Sequence, residues 1–264
     1  MSNDTVLYTQ DDRGVATLTL NRPEVHNAFD DAIIAALIQH LEAVAENPEV
    51  RVLVLRSEGK NFSAGADLNW MRRMAENSFD DNMVDARGLA RLMQLLNDLP
   101  QPTIALVQGA AFGGAVGLAA CCDMVVATHA SRFCLSEVKI GLIPAVISPY
   151  VVRAIGERQA RRYFLTAETF DADLAQHWGL VHQVVAETAQ LDAAAEALIA
   201  QLLGNSPQAI AQAKQLIDAV ANRPTDAAVI EDTARRIAEI RVSAEGQEGL
   251  SAFLNKRKPS WIQE

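Results

Sequence analysis

The chain has 264 residues, half of them hydrophobic, which is enough to bury a large core in one domain or in one domain with an extension. Its 33 acidic residues against 23 basic ones leave a net charge of -10, which disfavours nonspecific binding to nucleic acid or to an anionic membrane surface. An anionic ligand must therefore find a local basic patch.

In chain order, Val15–Leu20 alternates with period two and stops at Asn21-Arg22-Pro23, which predicts a strand and a turn. Phe29, Ile33, Leu37 and Leu41 then recur every four residues, an amphipathic helix that ends near Asn47-Pro48. Residues 50–55 are nearly all apolar, the signature of a strand covered on both faces. After a loop over 57–65, a polar helix is predicted over 68–75, then an acidic segment and a clearer helix around 89–96. Pro100 and Pro102 introduce a strand at Thr103–Val107, followed by a glycine turn, an apolar helix and another strand over 123–127. From about Glu187 on, the pattern is helical only, with Leu191, Ala195, Leu198 and Leu202 as its first apolar positions. The economical reading is an α/β core with a helical C-terminal extension.

Cys121, Cys122 and Cys134 form an odd set without CxxC spacing, which predicts buried free thiols and a reducing compartment, with no disulfide and no metal. The first ten residues lack a basic segment followed by an apolar run, and no stretch of about 18 uncharged apolar residues occurs. A cytoplasmic location with no membrane partner is the expectation.

The stretch "QGAAFGGAVGLAACCD" (108–123) poses the functional question. A dinucleotide GxGxxG ending at Gly117 would need glycine where Phe112 stands, and a P-loop ending at Gly114 would need lysine where Ala115 stands. His26, His40, His129, His177 and His182 form no HxxxH or HExxH pair, and Ser63 lies in no GxSxG elbow. What remains is backbone chemistry. The unpaired N–H groups at a helix start carry the positive end of its dipole and suit a transient oxyanion. Gly113 and Gly114 would let a ligand oxygen approach those groups; close packing of the helix is the alternative use of the same glycines.

A second glycine turn, "NFSAGADL" (61–68), follows the earlier strand, with Asp67 placed to cap the helix beginning at Leu68. Two such turns can each aim one N–H at the same oxygen. The candidate proton carrier is Glu137, an acid among apolar residues in "RFCLSEVKIGL", whose pKa burial would raise. A plain surface charge is the other reading of Glu137. The basic tail around Lys256-Arg257-Lys258 is either a solvated surface or a phosphate contact.

"NRPEVHNAF", "FSAGADL", "QGAAFGGAVGLAACCD", "SEVKIGLIP" and the basic tail, in this order from Val15 to Trp261, resemble the enoyl-CoA hydratase/isomerase (crotonase) family. The resemblance implies a spiral of repeated ββα units over 1–190, a helical C-terminal trimerisation region over 191–264, and a homotrimer or dimer of trimers. It implies no prosthetic group: coenzyme A arrives as part of the thioester substrate, whose carbonyl sits between the N–H groups of Ala66 and Gly114. By the same resemblance, Glu137 is the catalytic acid-base, and coenzyme A lies against Val25, His26, Ala64, Ala66, Asp67, Leu68, Asn69 and Gly114, with Lys256 reaching its phosphates. His26 contributes through its main chain. Asn69 stands where family members often have lysine.

Two departures narrow the expectation. Gly117 occupies the place where family hydratases carry a second glutamate, so this chain resembles a one-glutamate member. Residues 144–150 read PAVISPY in place of PGxGGTQ, similar to the bacterial branch acting on 3-methylglutaconyl-CoA in leucine degradation or on γ-carboxygeranoyl-CoA. Hydration of 3-methylglutaconyl-CoA is the reaction this implies, with Arg72, Arg73 or a backbone donor as candidate anchors for the distal carboxylate. Double-bond isomerisation by the lone glutamate and a non-catalytic acyl-CoA-binding role are the alternatives.

Overall fold

In the computed structural model, which describes residues 5–262, the chain winds through successive turns that feed one strand into a large sheet and then a short strand or bridge into a small one. β1 (Val6–Gln10) runs antiparallel to β2 (Val15–Leu20). Gly14 makes the reversal at φ +82°, where a Cβ would lie 2.2 Å from the Glu49 carbonyl oxygen. Asp30 caps α1 (Asp31–Glu46) by accepting from the Ile33 N–H at 3.0 Å, and Ile33, Ile34, Leu37, Leu41 and Val44 are its buried face.

β3 (Val52–Ser57) pairs in parallel with β2. It starts later than the predicted 50–55 because Arg51 closes the turn beside Gly14, its N–H donating to the Gly14 carbonyl at 2.7 Å. α2 (Leu68–Glu76) follows as expected. α3 (Phe79–Asp98) starts well before the helix expected around 89–96, since Ser78 and Asp81 form a capping box that draws the acidic segment into the helix.

β4 (Thr103–Val107) leads into β5 (Ala110–Phe112) and α4 (Gly114–Cys121), and β6 (Met124–Thr128) leads into β7 (Arg132–Cys134) and a short 3-10 turn, Glu137–Ile140. α5 (Ser148–Thr166), β8 (Phe170–Asp171), α6 (Ala172–Trp178) and β9 (Gln183–Val185) complete the winding. The large sheet has the order β1-β2-β3-β4-β6-β9, parallel from β2 onward, and the small sheet the order β5-β7-β8. The α/β winding agrees with the spiral that the resemblance implies.

Both faces of the large sheet are covered, which is why its strands read as nearly continuous apolar runs. Leu18, Leu53, Leu55 and Ala105 face α1, α3, α4 and α5, whereas Val52, Val54, Ile104 and Leu106 meet Leu191, Ala194 and Ile199 of α7 (Leu191–Leu203). The helical stretch after residue 190 therefore begins with a helix that covers the sheet. α8 (Pro207–Val220), α9 (Ala227–Val242) and α10 (Ala244–Leu254) follow; α8 buries no residue, and α9 and α10 bury only Val229 and Ala252 respectively. Among the described residues, no helix is long and apolar enough to cross a membrane.

Candidate active site

The register of the small sheet gathers the site. Ser63 bridges in parallel to Ala111, and Ala111 pairs in parallel with Phe133, so three segments distant in sequence lie side by side and leave the sheet at the same edge. The residues just beyond that edge are Ala66, Gly114 and Ser136-Glu137.

Phe29 donates its N–H to the Gly65 carbonyl at 2.9 Å and accepts from the Asp67 N–H at 3.0 Å, which turns the N–H of Ala66 away from this bridge. Gly65 has φ +92°, and a Cβ there would stand 2.8 Å from the Phe112 carbonyl oxygen, so this turn is packed against the start of the other glycine turn. Gly114 is the first residue of α4, and a Cβ on it would lie 2.6 Å from Cζ of Phe29. Both uses of the glycine thus meet at one position: the ring beneath it excludes a side chain, and its N–H stands at the positive end of the helix. Among the described residues, neither the N–H of Ala66 nor that of Gly114 has a hydrogen-bond acceptor.

Glu137 opens the 3-10 turn beyond β7, and its carboxyl lies over Gly113, where a Cβ would be 3.3 Å from Oε1. Gly113 is tied to β7 by its N–H donating to the Cys134 carbonyl at 2.8 Å. Oε2 of Glu137 is buried without a hydrogen-bond partner. Burial pushes the Glu137 pKa above the ordinary carboxylate value, opposed only by a hydrogen bond from its own N–H. A carboxyl with a free buried oxygen and a raised pKa is suited to take up and return a proton.

Asp67 caps α2, accepting from the N–H groups of Asn69 at 2.8 Å and Trp70 at 3.3 Å, and Arg22 reaches its other oxygen at 3.2 Å. Burial alone would raise its pKa, but these donors hold it below the usual range. Asp67 is therefore a structural acid that fixes the turn carrying Ala66.

Val25 and His26 lie on the facing loop. His26 has φ +55°, its carbonyl accepts from the Ala64 N–H at 2.9 Å, and its Nδ1 is 3.0 Å from Nδ2 of Asn61. The residue that locks this loop, Asn27, escaped sequence reasoning: its buried side chain donates to the Glu58 carbonyl at 2.7 Å and the Asn61 carbonyl at 2.8 Å. An asparagine tolerant of positive φ, here +53°, just before the helix was the available signal. Leu68 and Asn69 are exposed at the start of α2, and the side-chain oxygen of Asn69 accepts from Arg72 at 2.7 Å. Arg73 is paired with Asp31.

The basic tail sits elsewhere. Arg257 forms a two-pronged pair with Glu248 at 2.6 and 2.7 Å, drawing that carboxyl's pKa down to about 2. Arg51, just before β3, donates to the Trp261 carbonyl, and the Trp261 indole donates to the Gly204 carbonyl. Within one chain the tail with Lys256 is thus anchored at the edge of the large sheet where β3 begins, whereas Ala66 and Gly114 lie past the ends of β3 and β5.

A cavity of about 610 Å³ opens at the far end of α4 from Gly114, lined by Cys121, Tyr150, His182 and the α8 residues Ala213 and Ile217. It contains none of the groups gathered around Glu137. Cys121, Cys122 and Cys134 are free and buried, and burial pushes the Cys122 thiol up to about 12. These are core thiols. Among the described residues, no group of three or more His, Cys, Asp and Glu side chains is arranged to hold a metal ion.

The enoyl-CoA hydratase/isomerase family profile matches residues 10–264. A 2,3-dehydroadipyl-CoA hydratase of Escherichia coli (strain K12) is 34% identical over 94% of this chain and 94% of that protein. A 1,2-epoxyphenylacetyl-CoA isomerase of the same organism is also 34% identical, over 95% of each chain. Among solved structures, an enoyl-CoA hydratase from Shewanella pealeana superposes with a TM-score of 0.95 at 52% identity, covering 98% of this chain and 97% of that one. Motifs, spiral fold and full-length matches agree: the chain belongs to the enoyl-CoA hydratase/isomerase family, the crotonases, whose enzymes act on CoA thioesters without a prosthetic group.

Proposed function

We propose that this enzyme is a hydratase adding water across the C2=C3 bond of 3-methylglutaconyl-CoA, a step of leucine degradation, with Glu137 as its one carboxylate. The observation that carries the reading is the Glu137 carboxyl lying over Gly113, beside the unpaired N–H of Gly114. The branch resemblance of residues 144–150 supports the substrate, and so does the E. coli relative, whose name gives it a dicarboxylic enoyl thioester.

The thioester carbonyl oxygen accepts from the N–H groups of Ala66 and Gly114. Glu137 takes a proton from water as the water oxygen bonds to C3; the C2=C3 electron pair moves into an enolate whose oxygen the two N–H groups stabilise. Glu137 then gives that proton to C2 as the carbonyl re-forms, so the carboxylate returns to its starting state. One donor of this kind is typically worth about 3 kcal/mol at the transition state. General acid-base help of about 10²- to 10⁴-fold is asked of Glu137.

Coenzyme A would lie against the main chain at Val25-His26 and over Ala64, Ala66, Asp67, Leu68 and Asn69. Lys256 of a neighbouring copy in the oligomer would meet its phosphates, and Arg72, Arg73 or a backbone donor the distal carboxylate. The thinly buried helices α8 to α10 leave apolar residues such as Ile217, Ile230 and Phe253 exposed, which supports a homotrimer or dimer of trimers. A cytoplasmic location accords with the free thiols.

Isomerisation is the second reading. The lone carboxylate favours it, since one base can carry a proton between C2 and C4, and one of the relatives at 34% identity is an isomerase. Mixing the enzyme with 3-methylglutaconyl-CoA and with a 3-enoyl-CoA separates the two: hydration removes the conjugated-thioester absorbance of the first, and isomerisation creates that absorbance from the second.

A further inference from the structure

We infer that Ile147 is a specificity-determining residue: it fills the space beside position 117 on α4 and so holds the reacting centre to the single carboxylate of Glu137. The chemical half of this inference rests on the hydration proposed above.

Residue 117 comes three places after Gly114, about one helical turn along the same face of α4. A Cβ on Gly117 would lie 2.2 Å from Cγ2 and 2.7 Å from Cβ of Ile147, with Cε of Met93 at 3.3 Å. Even a methyl group does not fit there unless Ile147 moves.

Ile147 has little room to yield. It is 2% exposed, and its carbonyl accepts from the N–H of Val151 at 3.0 Å and of Tyr150 at 3.2 Å, which pins its backbone to the first turn of α5. Met93 behind it is fully buried, with its sulfur 3.7 Å from Sγ of Cys121. The face of α4 below the Gly114 N–H is thus closed by hydrocarbon, and no proton carrier can be borne by residue 117 while residue 147 is large.

Glu137 consequently acts alone. Its carboxyl faces Gly113 of the glycine turn, which carries no charge, and Lys139 on its own turn is exposed. Gly117 and Ile147 form a reciprocal pair: bulk at one position excludes bulk at the other, and the sequence places it at 147.

The test uses the enzyme and four variants: Gly117→Ala, Ile147→Ala, those two changes together, and Gly117→Glu with Ile147→Gly. In thermal unfolding, Gly117→Ala should lower Tm, and adding Ile147→Ala should cost less than the two single changes summed. An unchanged Tm in Gly117→Ala would overturn the steric half, whatever reaction the enzyme performs.

The Gly117→Glu/Ile147→Gly variant should hydrate crotonyl-CoA about 10²-fold faster than the wild type. Its pH profile of kcat/KM should show two ionisations where the wild type shows one. A folded double variant with neither change would overturn the chemical half; if that variant does not fold, Gly117→Asp with Ile147→Ala takes its place under the same criterion. A wild type inactive on both 3-methylglutaconyl-CoA and crotonyl-CoA would instead refute the proposed hydration, while a gain of crotonyl-CoA hydration in the double variant would still uphold the role of Ile147.

Discussion

The carboxyl of Glu137 lies over the space that a side chain on Gly113 would take: a Cβ there would stand 3.3 Å from Oε1. Gly113 also holds φ +55° and ψ -125°, a backbone conformation that side chains resist. Gly113→Ala should therefore strain the turn by about 1–3 kcal/mol. It should also displace the carboxyl, lowering kcat by about 10²-fold. Steady-state kinetics beside thermal unfolding checks both.

As the proposed acid-base, Glu137 should set the pH dependence of activity. In the proposed reaction the base form acts first, and burial raises the pKa, so kcat/KM should fall as pH drops through a midpoint above the ordinary value of 4.5. In Glu137→Gln this limb should vanish together with about 10²-fold or more of the rate. A wild-type profile flat down to pH 4.5 would contradict the assignment.

The same shift makes a stability prediction with the opposite face. A carboxyl whose folded pKa exceeds its unfolded value binds its proton more tightly when folded, so the charged form destabilises the fold. That penalty is absent below pH 4.5 and grows as pH rises through the folded value. Glu137→Gln should accordingly raise Tm at pH 7 and lose this advantage below pH 4.5, which melting curves across that range would read.

Asp67 behaves in the reverse sense. Held below the usual range by the N–H groups of Asn69 and Trp70 and by Arg22, it contributes stability above its unfolded pKa of 3.8 that is lost as pH falls through the lower folded value. Asp67→Ala removes the cap of α2 and should cost about 1–2 kcal/mol in denaturant unfolding. KM for the thioester should rise as well, because the same turn carries Ala66.

Lys214 ties α8 to the core. Its Nζ lies 2.8 Å from Asp123 and donates to the carbonyls of Leu99 at 2.6 Å and Gln101 at 3.1 Å, largely out of solvent. Lys214→Met should cost about 1–3 kcal/mol, since it strands those acceptors. Equilibrium unfolding of the two proteins side by side measures the difference.

A period-two pattern made β2 legible, a four-residue recurrence α1, an apolar run after Pro100 and Pro102 β4, and a polar helical stretch behind Asp67 α2. The short strands β5, β7 and β8 carry too few side chains to show a period, and α3 is lengthened by a capping box lying in the acidic segment read between two helices. Individual residues of the site were legible too: the glycine turns as backbone donors, Glu137 as an acid among apolar neighbours. Their meeting at one place was a possibility on the residues and an implication of the resemblance; what brings the segments side by side is the pairing of Ser63 with Ala111 and of Ala111 with Phe133, contacts between distant segments that no local pattern shows. Gly117 and the 144–150 stretch each stood out as departures, yet only packing reveals that Ile147 occupies the room a side chain on residue 117 would need.

The most direct measurement follows the conjugated-thioester absorbance when wild type and Glu137→Gln are each added to 3-methylglutaconyl-CoA, with crotonyl-CoA in parallel. A one-glutamate hydratase should give rapid loss of signal from the branched diacid with wild type, little loss from crotonyl-CoA, and none with Glu137→Gln. No loss with wild type on the branched diacid, or equal loss with Glu137→Gln, would contradict a one-glutamate hydratase.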